Sequence, residues 1–170
     1  MQNPCRSRRV PERGQIERWA SLALNGAARG ARAGNPERGA AEITVRLVSR
    51  AEATDLNRRF RGRDYSPNVL AFPYPADDGA NRVNGDIAIC PAIVAIEARA
   101  QGKSFEAHLA HLVVHGVLHL CGHDHAEPRE AARMERLESR LVAALGHGDP
   151  WAAERAPRAT MKAERAPVPA

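Results

Sequence analysis

The histidines of this chain are concentrated in one short segment. Six of the seven lie between positions 108 and 125 of a sequence of 170 residues. Within this segment, the pattern H-x-x-x-H-x-x-G-x-x-H is formed by His115, His119, Gly122 and His125. Residues four apart lie on one face of an α-helix, about 6 Å apart along its axis. The spacing therefore predicts a helix that presents two imidazoles side by side, close enough to bind one metal ion.

The glycine of the pattern predicts where this helix ends. Gly122 can adopt the left-handed backbone conformation that terminates a helix and reverses the chain. His125 would then approach the same ion from the side. Three neutral imidazoles with an open fourth position are typical of catalytic zinc, because structural zinc is normally closed by four protein ligands. We therefore predict one Zn²⁺ ion per chain, bound by His115, His119 and His125.

Other polar residues of the segment are weaker candidates. His123 could compete with His125 as a ligand, but its distance from Gly122 fits the pattern less well. Asp124 could hydrogen-bond the outer nitrogen of a ligand histidine, or it could be a solvated turn residue. His111 continues the histidine stripe one turn earlier, as a neighbour of a ligand or, the favoured interpretation, as a core residue. No role at the metal is predicted for three others: His108 at the surface, Cys121 on a different helix face and His147 in a glycine-rich loop.

The residue after the first histidine argues against a zinc protease. Proteases with the H-E-x-x-H motif place a glutamate there as general base, whereas this chain has Gly116. A zinc-bound water of pKa near 7 is already partly hydroxide, and the metal also polarises phosphoryl oxygens. A phosphodiester substrate would need a cation to offset charge at phosphorus. The basic segment 58–63 offers several arginines for this purpose, with a solvated basic face as the alternative.

The composition is that of a soluble globular protein, with 44% hydrophobic and 26% charged residues. No apolar run approaches the roughly 20 residues that a membrane-spanning helix needs, and we see no secretory signal. Three cysteines without a C-x-x-C pair indicate thiols in a reducing compartment, so we expect a cytoplasmic protein. Aromatic residues make up only 4% of the chain, which argues against a base-stacking platform of the kind found in single-strand-binding proteins.

The excess positive charge lies at the N-terminal end. Residues 1–40 contain eight arginines and three acidic residues, whereas the other 130 residues contain 17 basic and 17 acidic side chains. An RNA partner is one interpretation of this charge, and a solvated arginine-rich leader is the favoured one. We predict a loose basic leader at 1–14, one domain at 15–150, and a disordered tail rich in alanine, arginine and proline at 151–170.

Apolar spacing predicts helices and strands mixed along the domain. The predicted helices cover residues 15–28, 51–59, 91–100, 104–121 and 127–145. The predicted strands cover residues 43–49, 68–72 and 85–90. This order indicates an α/β or α+β fold in which a small sheet packs against a helical layer.

Four segments in this order resemble the YbeY family, bacterial endoribonucleases of ribosomal RNA maturation. They are FRGRD at 60–64, NVLAFP at 68–73, GDIAIC at 85–90 and HGVLHLCGHDH at 115–125. The resemblance covers roughly residues 15–150. It implies an α+β fold with a small mixed four-stranded sheet packed against about five helices, and a single zinc site at the end of a central helix.

The resemblance also implies an activity and a set of site residues. The zinc ligands map to His115, His119 and His125, and the catalytic arginine, which binds phosphate, maps to Arg61. The activity would be zinc-dependent, single-strand-specific cleavage of RNA at the 3′ end of 16S ribosomal RNA, together with ribosome quality control. The implied partners are ribosomal RNA, the small ribosomal subunit with its proteins, and an assembly GTPase, without a membrane. Whether zinc activates water or acts as a Lewis acid on the phosphate stays open.

Three departures from the family pattern concern the loops around the histidines and arginines. This chain has His123 in place of a usual tyrosine, Ser66-Pro67 in place of Pro-Thr, and Ala71 in place of serine. They weaken expectations about loop contacts to RNA and leave the three ligands and Arg61 unaffected. The alternative functions are a non-catalytic, zinc-stabilised ribosome assembly factor with four protein ligands and, less favoured, a metalloprotease.

Overall fold

Helices and strands are mixed along the part of the chain that the computed structural model describes, residues 10–30, 41–74 and 82–155. The elements are α1 Arg13–Gly30, β1 Glu42–Leu47, α2 Arg50–Arg61, β2 Val69–Tyr74, β3 Asn84–Ile89, α3 Pro91–Ala100, α4 Phe105–Leu120, α5 Pro128–Ala144 and α6 Ala152–Arg155. Each helix and strand predicted from the sequence coincides with one of these elements, with ends that differ by a few residues. In the described ranges, no helix is both long and apolar enough to cross a membrane.

The sheet has the strand order β1-β3-β2, with β3 in the middle. β1 pairs parallel to β3, and β2 pairs antiparallel to it, so the sheet is mixed as expected. The fold is therefore α+β. The prediction of four strands is wrong for the described ranges, which contain three. In the described ranges, these three segments form the strands, and the other elements are helices.

Helix α4 forms the centre of the structure. It contacts both β2 and β3 and packs against α1, α3 and α5, and eleven of its sixteen residues are buried. A helix that is apolar on almost every face must be enclosed in this way. Gly116 allows the helix to lie close to the sheet, because a Cβ atom there would be 2.9 Å from the Ile87 side chain of β3. The glycine is therefore explained by packing.

The C-terminal end of α4 is shaped by a backbone motif. Gly122 has a φ angle of 84°, in the left-handed region. Its N–H donates to the carbonyl of His119, and the N–H of His123 donates to the carbonyl of Leu118, both at 3.0 Å. This pair of hydrogen bonds is the Schellman motif, which ends a helix and redirects the chain. The predicted role of Gly122 is confirmed.

The segment after α5 folds back onto the protein. Ser139 Oγ donates to a carboxylate oxygen of Asp149 at 2.7 Å, and the backbone N–H of Trp151 donates to the same oxygen at 3.0 Å. Trp151 is half-buried, and the first residues of the predicted tail form the short helix α6. The rest of that tail, 156–170, and residues 1–9 of the predicted leader lie outside the described residues.

Candidate metal centre

Three imidazoles lie together where α4 ends. His115 and His119 come from the last two turns of the helix, and His125 follows the turn at Gly122. The Nε2 atoms of His115 and His119 are 3.0 Å apart. The ring of His125 lies 5.7 Å from that of His115 and 5.0 Å from that of His119, between centroids. One nitrogen from each residue lies within 4.8 Å of the other two, so the structure brings the predicted trio together.

A buried carboxylate from α5 orients the first of these imidazoles. Glu138 is 1% exposed, and its Oε1 atom lies 2.7 Å from Nδ1 of His115. Its Oε2 atom lies 3.2 Å from Nε2 of His111 and 2.8 Å from the indole nitrogen of Trp151. An ionised carboxylate can only accept hydrogen bonds, so Nδ1 of His115 carries the proton. The Nε2 lone pair of His115 is therefore directed towards His119.

The electrostatics keep Glu138 ionised despite its burial. Burial by itself raises the pKa of a carboxyl group, because the charged form loses its hydration. Here the hydrogen bonds from His111 and His115, with their charges, outweigh burial and hold the pKa of Glu138 at about 2. The carboxylate is therefore a permanent negative charge behind His115 at any ordinary pH.

His119 is kept neutral by the opposite effect. Burial, together with the charges of His115 and His125, lowers the pKa of His119 to about 4. A metal ion binds only a neutral imidazole, so the low pKa of His119 leaves its ring ready to coordinate a metal at neutral pH. Three converging imidazoles, one of them hydrogen-bonded to a carboxylate, form a donor set that suits a divalent transition metal. The residues present therefore fit a metal ion.

A second group of possible ligands overlaps the first. It consists of His111, His115 and Glu138, whose ligand atoms also lie within 4.8 Å of one another. In this group, however, the two imidazole nitrogens donate hydrogen bonds to the carboxylate instead of offering lone pairs to an ion. His115 is shared between the two groups. The second group is therefore best described as the hydrogen-bonded support of the first.

The remaining histidine candidates take other positions. The prediction that His108 lies at the surface is wrong: it is 3% exposed, and its Nε2 atom is 2.8 Å from Glu97, because α4 is enclosed on that face too. His111 is buried as expected. His123 lines the cleft described below but belongs to neither ligand group of the described residues. His147 contacts the edge of Trp19, with 6.0 Å between ring centroids.

Asp124 does not orient an imidazole ring. Its carboxylate accepts the backbone N–H of His125 at 2.7 Å and is exposed, so it is the turn residue that was the second interpretation. The orienting carboxylate is Glu138, which the sequence reasoning missed. A signal was available, because Glu138 stands among Met134, Leu137 and Leu141 on the apolar face of α5. A carboxylate on a buried face must have hydrogen-bonding partners.

The trio opens into a cleft of about 1130 Å³ that also contains the predicted phosphate-binding arginine. Arg61 is the last residue of α2 and is exposed, and one guanidinium nitrogen lies 3.4 Å from the carbonyl of Ala71. The other wall is formed by the end of α2, the loop after it and the first residues of β2. It includes Phe60, Arg61, Arg63, Tyr65, Asn68 and Ala71. The structure thus places three imidazoles and two arginines around one open space.

A family model and several named relatives match this chain under one description. The family model described as Endoribonuclease YbeY matches residues 3–146. A relative from Aromatoleum aromaticum, named Endoribonuclease YbeY, is 49% identical over 144 residues, 85% of this chain and 83% of the relative. One of the same name from Bordetella avium is 50% identical, covering 84% of this chain and 86% of the relative. The solution structure of TM1509 from Thermotoga maritima is similar with a TM-score of 0.54 and 29% identity, over 86% of this chain and 87% of that one.

Proposed function

Because the chain belongs to the YbeY family of endoribonucleases, we propose that it is a zinc-dependent hydrolase that cuts single-stranded RNA during ribosomal RNA maturation. The substrate is the 3′ end of 16S ribosomal RNA, and the same activity serves ribosome quality control. One observation carries the proposal: three imidazoles, one of them hydrogen-bonded to a buried carboxylate, share a cleft with Arg61.

His115, His119 and His125 would hold the zinc ion. Neutral imidazole is a preferred zinc ligand, and three of them are typical of a catalytic site with an open position. When bound, zinc would supply a Lewis acid for a phosphoryl oxygen and a water of lowered pKa. Glu138 accepts the Nδ1 proton of His115 and so keeps the other nitrogen of that ring as a ligand.

Arg61 would bind the scissile phosphate. A guanidinium group presents its N–H donors as a planar fork that matches two phosphate oxygens, and it remains charged at any ordinary pH. Charge on those oxygens increases during cleavage, so a fixed cation stabilises the transition state more than the ground state. Arg61 is exposed and lines the cleft with the imidazoles, so it can reach a phosphate that lies between them.

The packing of Gly116 argues against the alternative of a metalloprotease. Its position corresponds to the glutamate of H-E-x-x-H proteases, but here it faces the sheet at Ile87, where even a methyl group meets the neighbouring side chain. A general base could not be accommodated at this position without moving α4. Peptide hydrolysis by that mechanism therefore has no support in this fold.

Purified protein tests the proposal directly. We expect cleavage of single-stranded RNA but not of the matched duplex, loss of cleavage with a chelator, and recovery when zinc is added back. Both His115→Ala and Arg61→Ala should lose activity. Equal cleavage by wild type and both variants would show a contaminating nuclease. Stability that collapses under chelation, with no turnover of any RNA, would instead support the non-catalytic assembly factor.

The proposal also covers the binding partners of the protein and the boundaries of its domain. The protein would act in the cytoplasm on the small ribosomal subunit, in contact with its proteins and an assembly GTPase. Residues 15–150 would form the catalytic domain, with a basic leader before it and a tail after it. Co-sedimentation with small subunits, with and without residues 151–170, tests the assignment of the tail.

A further inference from the structure

We propose that Phe60 and Tyr65 form a base-stacking platform at the cleft, which binds unpaired nucleobases beside the phosphate that Arg61 contacts. The inference rests on the proposed function and deepens it, because it states what makes the substrate single-stranded. It names two specificity-determining residues outside the metal centre.

Both aromatic rings are exposed to solvent within the cleft. Phe60 is 58% exposed and Tyr65 is 53% exposed, and both line the cleft that contains the three imidazoles. A large apolar ring left in water stabilises binding when a partner covers it. The edge of Phe60 contacts Phe72, with 5.1 Å between centroids and 67° between planes, so the ring is supported from one side.

The loop that presents these rings has a fixed backbone. Gly62 adopts a left-handed conformation with a φ angle of 65° and caps α2. The side chain of the buried Asn57 donates a hydrogen bond to the backbone carbonyl of Tyr65 at 3.0 Å. The backbone carbonyl of Asn57 accepts the N–H of Arg63 at 3.3 Å. Arg58 and Asp64 form an ion pair across the same loop. Little ordering entropy is therefore lost when a ligand binds here.

Aromatic and cationic side chains follow one another along residues 60–65, as bases and phosphates do along a nucleic acid strand. Between the two rings stand Arg61 and Arg63, which line the same cleft, and an Arg63 guanidinium nitrogen lies 3.3 Å from the Tyr65 hydroxyl. Alternating rings and cations suit the alternating bases and phosphates of a single strand. In a duplex the faces of internal bases are covered by stacking, so they cannot contact these rings. The platform therefore selects unpaired RNA.

The low aromatic content of the chain does not exclude this arrangement. The sequence contains seven aromatic residues, all in the described ranges, and three of them are more than half exposed. Two of these three line the cleft, and the third, Tyr74, does not. The composition argument counted aromatic residues, whereas base stacking depends on where they lie.

The test crosses protein variants with substrate variants. The zinc-loaded enzyme is assayed on an RNA oligonucleotide whose wild-type cleavage position has been mapped, and on the same strand with abasic riboses beside that position. For Phe60→Leu/Tyr65→Leu we expect a roughly 10- to 100-fold lower kcat/KM on the full strand and less than about a twofold change on the abasic strand. The control Tyr74→Leu removes an exposed ring that does not line the cleft, and it should match wild type on both strands.

Binding of the same two strands, measured by fluorescence anisotropy with chelator present, forms a second arm that does not depend on cleavage. An equal loss on both strands, or no loss on either, would overturn the platform even in an active enzyme. If the wild type binds but cleaves neither strand, the proposed nuclease function fails, whereas base-dependent weakening by the leucine variants would still support the platform. Equal melting temperatures of the leucine variants and the wild type would show that these exposed positions tolerate leucine.

Discussion

The two walls of the cleft are built in opposite ways. On the histidine wall, His115 is held by Glu138, which is itself fully buried and hydrogen-bonded to His111 and Trp151. On the arginine wall, Arg61 and Phe60 are exposed, and the contact of Arg61 with Ala71 is long. The difference teaches that folding fixes the geometry for a small ion, whereas the groups that meet a polyanion remain in water, where they can adapt. Changes on the first wall should alter metal affinity and stability, and changes on the second only RNA binding and cleavage.

Removing a predicted ligand gives the largest effect. For His115→Ala we expect zinc affinity to fall by more than the ~100-fold that loss of an outer hydrogen-bonding partner can cost, and cleavage to fall with it. Zinc content after dialysis, by elemental analysis, measures this. His123→Ala is the matched control, because His123 lines the cleft outside the ligand trio and should retain one ion per chain. Loss of zinc from His123→Ala, with zinc retained by His115→Ala, would show that His123 and not His115 is a ligand.

Glu138→Gln tests whether the buried carboxylate governs metal affinity. An amide presents one oxygen and one N–H₂ group to three N–H donors, so at least one buried donor loses its acceptor. We expect zinc affinity to fall about 10- to 100-fold and the free energy of unfolding to fall by about 1–3 kcal/mol. Competition with a chromophoric chelator and urea denaturation measure the two effects. Unchanged affinity with lowered stability would make Glu138 a structural residue only.

Arg61→Ala should separate the two walls. A hydrogen bond to a charged group contributes about 1.5–3 kcal/mol, so kcat/KM for RNA should fall about tenfold or more. Zinc affinity and melting temperature should stay at wild-type values, because Arg61 is exposed. Arg99→Ala is the control, since Arg99 is an exposed arginine of α3 that is not among the described residues that line the cleft. A loss of zinc in Arg61→Ala would show that the walls are coupled.

The pH dependence of stability should report the histidine wall. The pKa of His119, about 4 in the folded protein, lies below the ~6.5 of an unfolded chain, and burial also lowers the pKa of His108. Between pH 6.5 and 4 the unfolded chain binds more protons, so the free energy of unfolding of the metal-free protein falls as the pH falls. We expect His119 to account for about 1–2 kcal/mol of the loss by pH 5. Urea denaturation of wild type and His119→Gln at pH 7 and pH 5 measures this loss. If the free energy of unfolding changed equally with pH in both proteins, His119 would not be its source.

Gly116→Ala tests the close packing of α4 on β3. The added methyl group would meet the Ile87 side chain, so we expect a loss of about 1–3 kcal/mol in the free energy of unfolding. Shortening the opposing side chain in Gly116→Ala/Ile87→Val should recover part of it. Urea denaturation of the three proteins measures the coupling. Full stability of the single variant would mean that α4 and β3 can separate without cost.

Local patterns were enough to predict that the three imidazoles come together, because helical spacing and one glycine place all three within a single stretch of chain. The turn at Gly122 was predictable for the same reason. The apolar face of α5 indicates that Glu138 is buried, but not that its partner is His115, because that contact spans 23 residues and depends on how α5 packs against α4. The burial of His108 was missed because the number of neighbours around α4 is a tertiary property. The fourth strand rested on resemblance and not on a further alternating segment.

The indole of Trp151 reaches the carboxylate behind His115 from beyond the last long helix. The order of synthesis then matters, since ribosomes make the imidazoles first, Glu138 later and Trp151 last of these groups. A polypeptide that stops before Trp151 would carry every metal-binding side chain and yet leave one oxygen of the supporting carboxylate without its indole donor. The hydrogen-bonded support of His115 is therefore complete only after Trp151 has been made.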